Sequence, residues 1–231
     1  MHRYWFAVTL CVALQALSQN ADPWLVAPGK SVGPITAQTL PGDLRGLFGA
    51  RNVKDAMVSS GGDAEPGPAT VVHGDDLTSA LTIFWDKPGK GLHPASTAHL
   101  DSINLCYGNA NRPETCKWHL ANNVSFGTSL RELERLNRRP FHLEGFGWDY
   151  SGTVMNWNGG DLERLLNRCG RLLLRLEPRY SPIGPTAEQQ KVYEQATGDR
   201  DFLSSNPAMQ QLNPVVYAIV FVFPTGNCPA L

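Results

Sequence analysis

An excess of charge is the first thing this sequence lacks. Twenty Lys and Arg stand against 21 Asp and Glu, a net charge of -1. No basic stripe or acidic tail gathers them, so no nucleic-acid partner is expected. Long apolar runs are also missing. The apolar stretch between Pro214 and Pro224 is far short of the ~20 residues a bilayer-crossing helix needs, so no transmembrane segment is expected in the mature chain. Cysteines at C-x-x-C spacing are absent, which argues against a zinc site. The chain has no G-x-S-x-G, H-E-x-x-H, P-loop or G-x-G-x-x-G. These absences lead us to expect no metal, no cofactor and no familiar catalytic constellation.

What is present starts at the N-terminus. "MHRYWFAVTLCVALQALSQN" sets Arg3 before an apolar run from Tyr4 to Leu14, with small residues at Ala16 and Ser18. This reads as a signal peptide over residues 1–18, with a second cleavage choice after Ala21. The expected location is periplasmic or secreted. Export makes the cysteines legible. Of five, Cys11 leaves with the signal, and Cys106, Cys116, Cys169 and Cys228 remain, an even number in an oxidising compartment. Three pairings are open. The nearest-neighbour one joins Cys106 to Cys116 across a turn-rich loop, and Cys169 to Cys228, the long second link contributing about 2–4 kcal/mol.

Residues 19–34 hold three prolines and two glycines and read as an extended lead-in. Leu40, Leu44, Leu47 and Phe48 fall at helical spacing, with Gly49 as a C-cap. Strands are expected at "TVVHG" and "ALTIFWDK". A second helix starts at Ser129 and Glu132, a capping box. The two helices match in phase, Leu44 with Leu133 and Leu47 with Leu136, 89 positions apart. A strand-rich region with a tryptophan, Trp85 or Trp157, follows each. The fold class is therefore α+β: two tandem helix-plus-antiparallel-sheet repeats, 35–105 and 106–231, braced by disulfides. Asn158 and Gly170 bracket a third helix, "RLLLRLEP" reads as a strand, and "PTAEQQKVYEQATGD" as an exposed helix. The run between Pro214 and Pro224 reads as a strand buried between neighbours.

The stretch "EGFGWDYSGTVMNW", residues 144–157, is the most unusual. Phe146, Trp148 and Tyr150 alternate with Gly145, Gly147 and Asp149, which is a strand signal. One face is aromatic. The other is bare enough for a second backbone to approach closely. "DYSG" carries turn chemistry. Two readings stand: a hairpin packed by aromatics, or a surface where Phe146, Trp148, Asp149 and Tyr150 anchor a partner. Elsewhere, His99 and Asp101 share a strand face beside His93, and "HGDD" at His73–Asp76 reads as a turn. Ser129 is explained by capping. Arg131, Arg135, Arg138 and Arg139 form a basic cluster in which Arg131 can pair with Glu134. The cluster reads as a solvated face, with anionic headgroups as the alternative partner.

The segment "FGTSLRELERLNRRPFHLEGFGWDYSGTV" resembles an uncharacterised family of exported bacterial proteins. Its motifs are G-T-S-L-x-E-L-x-x-L-N-x-x-P-F and G-F-G-W-D-Y-x-G-T-V. "VGPITAQTLPGDLRGLFGARNV" looks like that family's N-terminal element. In the family a glycine often follows Leu-Asn. Arg138 stands there, which argues against a tight left-handed turn. The helix–strand order is also similar, at fold level, to β-lactamase-inhibitor-protein repeats and small outer-membrane assembly lipoproteins. The expectation is a non-catalytic binding or inhibitor-like module of the cell envelope, whose partner is an unknown protein or envelope component. The alternative is an envelope-polymer hydrolase using Asp149 or the His99/Asp101 pair.

Overall fold

The computed structural model describes residues 22–59, 65–85, 100–106, 115–166, 171–180 and 184–223. The expected signal peptide, Cys169, Cys228, Gly170, His93 and His99 lie outside these residues, as does the side chain of Asp101.

The expected lead-in is built differently. Gly29 (φ 74°) and Gly33 (φ 53°) turn the chain, giving three short strands: β1 (Leu25–Ala27), β2 (Ser31–Val32) and β3 (Ile35–Thr36). Val26, Val32 and Ile35 are fully buried, so this segment belongs to the core. A 3-10 turn at Pro41–Asp43 leads into α1 (Leu44–Phe48). Gly49 ends it at φ 82°, as a left-handed C-terminal position favours. Leu44 points inward, while Leu40 and Leu47 stay exposed.

An antiparallel meander follows, formed by β4 (Val53–Val58), β5 (Gly67–Val72), β6 (Leu81–Trp85) and β7 (Leu100–Leu105). β8 (His119–Leu120) runs back to pair in parallel with β1. Next come α2 (Leu130–Asn137), β9 (His142–Glu144), β10 (Val154–Asn156), α3 (Asp161–Leu166) and β11 (Arg171–Glu177). The chain continues through α4 (Ala187–Gln195), β12 (Asp201–Leu203), α5 (Pro207–Leu212) and β13 (Val215–Val222). The strands form three sheets: β3-β2-β1-β8, β10-β9-β12, and a six-stranded sheet β11-β13-β7-β6-β5-β4. The protein is thus α+β, with more sheet than helix among the described residues. The expected boundary after residue 105 falls within the large sheet, because β7 pairs with β6 on one side and β13 on the other. β13 is flanked by β11 and β7, as its uniform apolarity requires.

Cys106 and Cys116 form a disulfide, with Cα atoms 6.0 Å apart. The turn at His73–Asp76 is tied to it. The Asp76 carboxylate accepts from the Thr78 N–H (3.0 Å), both hydroxyls of Thr78 and Ser79 (2.6 and 2.7 Å) and Lys117 Nζ (3.1 Å). These donors, the Thr78 hydroxyl first, hold its carboxyl well below the usual range. The Lys117 N–H donates to Thr78 O, and the Cys106 N–H to Ala80 O. The turn and both ends of the bridged loop therefore form one unit.

Ser129 caps α2 as its sequence position indicates, its hydroxyl accepting from the Glu132 N–H. Glu132 then pairs with Arg135 instead of closing the box. At the other end, Asn137 is fully buried. Its Nδ2 donates to Arg139 O (3.0 Å) and Trp157 O (2.8 Å), and its Oδ1 accepts from the Leu162 N–H (3.1 Å). Asn137 therefore serves the N-terminus of α3, the role expected of Asn158. Asn158 sits at φ 55° in the preceding turn and donates to Pro140 O. The turn after Leu-Asn is left-handed despite the missing glycine, with Arg138 at φ 59°, ψ 13°. Three hydrogen bonds from Asn137 hold the chain on either side and hold it in that conformation.

Three outcomes follow. Asn137→Ala leaves buried backbone groups unsatisfied and costs about 3 kcal/mol or more in denaturant unfolding. Gly160→Ala drives a methyl into the Asn137 amide and destabilises comparably. Arg138→Gly relieves the left-handed strain and stabilises by about 0.5–1 kcal/mol after the entropy of glycine is offset.

Candidate functional site

The strands of the 144–157 stretch end at Glu144 and resume at Val154, with Val154 opposite Leu143. The alternation between them breaks. Phe146 is fully buried and stacks on Tyr193, centroids 5.7 Å apart. It is a core residue, out of reach of any partner. Gly147, at φ 85°, then rotates the chain, so Trp148 and Tyr150 leave the face that Phe146 occupies. Backbone bonds from Ser151 to Trp148 O (2.9 Å) and from Thr153 to Tyr150 O (3.0 Å) close the tip.

The glycines are explained by close approach. A side chain at Gly145 would collide with Gly198 O, and one at Gly152 with Leu176 O of β11. Gly152 O accepts from the Leu176 N–H (2.9 Å), and Phe146 exchanges backbone bonds with Ala196 and Gly198. Of the bare face expected from sequence, Gly145 is where a second backbone packs, while Gly147 and Asp149 are exposed.

The tip itself projects. Tyr150 is 63% exposed and stands edge-on to Trp148, centroids 5.5 Å apart. The half-buried Trp148 is fixed by its indole N–H, which donates to Gly145 O at 3.1 Å. Asp149 is exposed. Arg175 of β11 clamps the loop from below: its guanidinium donates to Asp149 O (2.5 Å) and Ser151 O (3.3 Å) and lies 5.9 Å from the Tyr217 ring. Two aromatic rings are thus held in fixed positions on a solvent-facing loop. This arrangement brings together Trp148, Asp149 and Tyr150 of the expected residues.

Sequence reasoning missed the neighbours. Glu177 follows Arg175 on the same face of β11, and burial pushes its carboxyl up. The hydroxyl of Tyr180 is buried with no hydrogen-bond partner among the described residues, and burial first, then Tyr193 and Glu177, pushes it up to about 12. Tyr193 links the two groups, 6.3 Å from Tyr180, with its hydroxyl beside Gly147. The available signal was Arg175 and Glu177 alternating with leucines in a strand.

Other sequence candidates resolve differently. Each guanidinium of the basic cluster has a local partner: Arg131 meets Gln210 O, Arg135 meets Glu132, Arg138 meets Asp161 and Arg139 meets Asn158 O. Glu134, expected to pair with Arg131, instead accepts from Ser204 (2.5 Å) and Gln210 (3.3 Å). A pair the sequence did not suggest joins His142 Nδ1 to Asp201 at 2.6 Å. Among the described residues, no group of three His, Cys, Asp or Glu side chains is placed to hold a metal ion. No described helix is long and apolar enough to cross a membrane. No family model matches this chain, and no curated protein or solved structure matches it either.

The raised carboxyl of Glu177 gives a signed pH dependence. An acid with a raised folded pKa favours folding most below its ordinary value of 4.5, and that contribution is lost as pH rises through the folded value. Glu177→Gln should therefore melt with the wild type in acid and above it at neutral pH, as thermal scans across that range will show.

Proposed function

We propose that this chain is an exported, non-catalytic binding module of the cell envelope, built from two tandem helix-plus-sheet copies, which captures its partner at the Trp148–Tyr150 tip. The observation that carries this reading is the exposed Tyr150, braced on Trp148 above a backbone that Arg175 clamps. Aromatic side chains held rigid before contact lose little entropy on binding, which is why Tyr and Trp dominate interface energetics. The Cys106–Cys116 bridge supports export, because such bonds persist in oxidising compartments.

Matched hydrogen bonds support the reading of two copies. The Thr36 N–H donates to Thr39 Oγ1 at 3.0 Å, and the Ser125 N–H to Thr128 Oγ1 at 3.0 Å. The Thr39 N–H returns to Thr36 O, and the Thr128 N–H to Ser125 O. The buried pairs Ile35 and Val124, and Leu44 and Leu133, keep the same spacing of 89 residues. The sequence match thus extends to how each helix is entered.

The test is affinity capture from envelope extract with the mature, oxidised protein beside Tyr150→Ala and Trp148→Ala. Tyr150→Ala should lose the partner while its melting temperature stays within about 2 °C, since an exposed side chain contributes little to folding. Equal capture by wild type and both variants would remove the tip from recognition.

A further inference from the structure

The two halves differ in one respect. Each helix leads into a strand with a hairpin mate: α1 into β4, which pairs with β5, and α2 into β9, which pairs with β10. β9 is also paired on its other edge, by β12, with Phe202 opposite Leu143 and Asp201 opposite Glu144. The ladder continues past β12, through Ser204 N–H to Phe141 O and Gly145 N–H to Arg200 O. The chain then enters α5, which packs on α2 through Gln210 to Glu134 and Arg131 to Gln210 O. β4 ends its sheet with no second neighbour among the described residues.

The backbone of that edge can be assigned. The His73 N–H donates to Asn52 O, and the antiparallel alternation then directs Lys54, Ala56 and Val58 towards β5. Asp55 and Met57 present their N–H and C=O groups outward. The Val53 N–H is already taken by Ala50 O. Met57 is 65% exposed, and Leu47 of α1 is 44% exposed, whereas its counterpart Leu136 packs against the core. Among the described residues, the first half thus leaves open the strand edge that β12 covers in the second.

Charge specifies what fits there. Past the helices the spacing lengthens by one residue, so that the buried Val53 and Leu143 match at 90 positions, and the next side chain is Lys54 in β4 and Glu144 in β9. In the second half an acid, Asp201, lies opposite Glu144, relieved by His142. In the first half that place is basic. Beside β4 is a pocket of about 150 Å³ lined by Arg51, Asn52, Lys54 and His73, with Asp75 and Asp76. Asp76 is committed to Thr78, Ser79 and Lys117, and Asp55 to Arg45 and Thr70. Lys54 reaches Asp75 only at 3.6 Å, with both side chains largely exposed.

We propose that the free edge of β4 docks an extended acidic segment of a partner protein, which adds as an antiparallel strand beside Asp55 and Met57 and sets a carboxylate against Lys54 and Arg51. The acidic character of the occupant rests on reading the halves as copies. The open edge does not, and neither depends on the Trp148–Tyr150 tip. Strand addition of this kind takes its affinity from main-chain bonds and its selectivity from alternate side chains.

The probe is a fluorescein-labelled peptide copying Asp199–Leu212 of this chain, titrated with the full oxidised protein and read by anisotropy. Saturable binding is expected. It should weaken about tenfold in Met57→Pro, which removes one outward N–H and leaves the β4–β5 ladder intact. A peptide N-methylated at Phe202 makes the same test without altering the protein. Lys54→Glu should weaken binding about threefold, and a peptide with Asp201→Lys should restore it. Trp148→Ala should bind the peptide as wild type does, which separates this result from failure at the tip. Absence of binding, or binding indifferent to Met57→Pro and the N-methyl group, overturns the proposal. Binding indifferent to the charge at Lys54 overturns the acidic occupant and the copy-based register with it. A concentration-dependent dimer in light scattering, lost in Met57→Pro, gives the edge to a second copy and also overturns it.

Discussion

The amide of Asn137 sits where α2 ends, β10 ends and α3 begins, and each of these depends on it. Both of its N–H groups and its oxygen are committed to backbone, at Arg139, Trp157 and Leu162. A buried amide with these bonds made specifies one arrangement of three chain segments. With any bond missing it would leave a costly orphan. The constraint spreads outward. Gly160 has to be glycine because the amide fills its side-chain space, and Arg138 is held left-handed because both its neighbours are fixed. From that corner the chain enters β9, and β9 sets the position of the hairpin tip on one side and β12 on the other.

The tip is rigid for a second reason. Its two glycines at Gly145 and Gly152 let the hairpin lie directly on the 196–200 segment and on β11. Backbone then bonds to backbone with no side chain between. Arg175 adds donors under the loop, and Phe146 anchors it into the core against Tyr193. So the stretch whose composition first suggested a binding surface is mostly architecture, and the proposed recognition surface is left with Trp148, Asp149 and Tyr150.

That division explains what could be read from the sequence. The run "RLLLRLEP" placed β11, uniform apolarity between two prolines placed β13, helical spacing placed α1 and α2, and Ser129 marked the start of α2. These signals are local, so one chain segment is enough to see them. The corner at Asn137 could not be seen, because its partners lie 20 and 25 residues away and an Asn at a helix end reads as an ordinary terminus. Asn158 was the nearer candidate for the cap and was displaced by this tertiary bond. The lead-in hid two strands because proline and glycine composition says extended, while Val26 and Val32 are buried in the core cluster that also holds Trp118. At the tip, Tyr180 and Tyr193 come from segments with no pattern linking them to residue 147. The Cys106–Cys116 bridge was legible as the nearest-neighbour pairing of cysteines across a turn-rich loop.

The same reasoning bears on why the halves differ. A strand edge left open in water is a liability unless charge or cover protects it. The second half covers β9 with β12 and tolerates Asp201 opposite Glu144 by spending His142 on the pair. The first half instead sets Lys54 and Asp55 along β4, a pattern that discourages indiscriminate pairing. Yet it keeps Met57 and Leu47 apolar and exposed beside them. Charges alone would suffice to keep the edge solitary. Charges that flank an apolar contact do something more selective, because they admit a strand of matching charge and reject others.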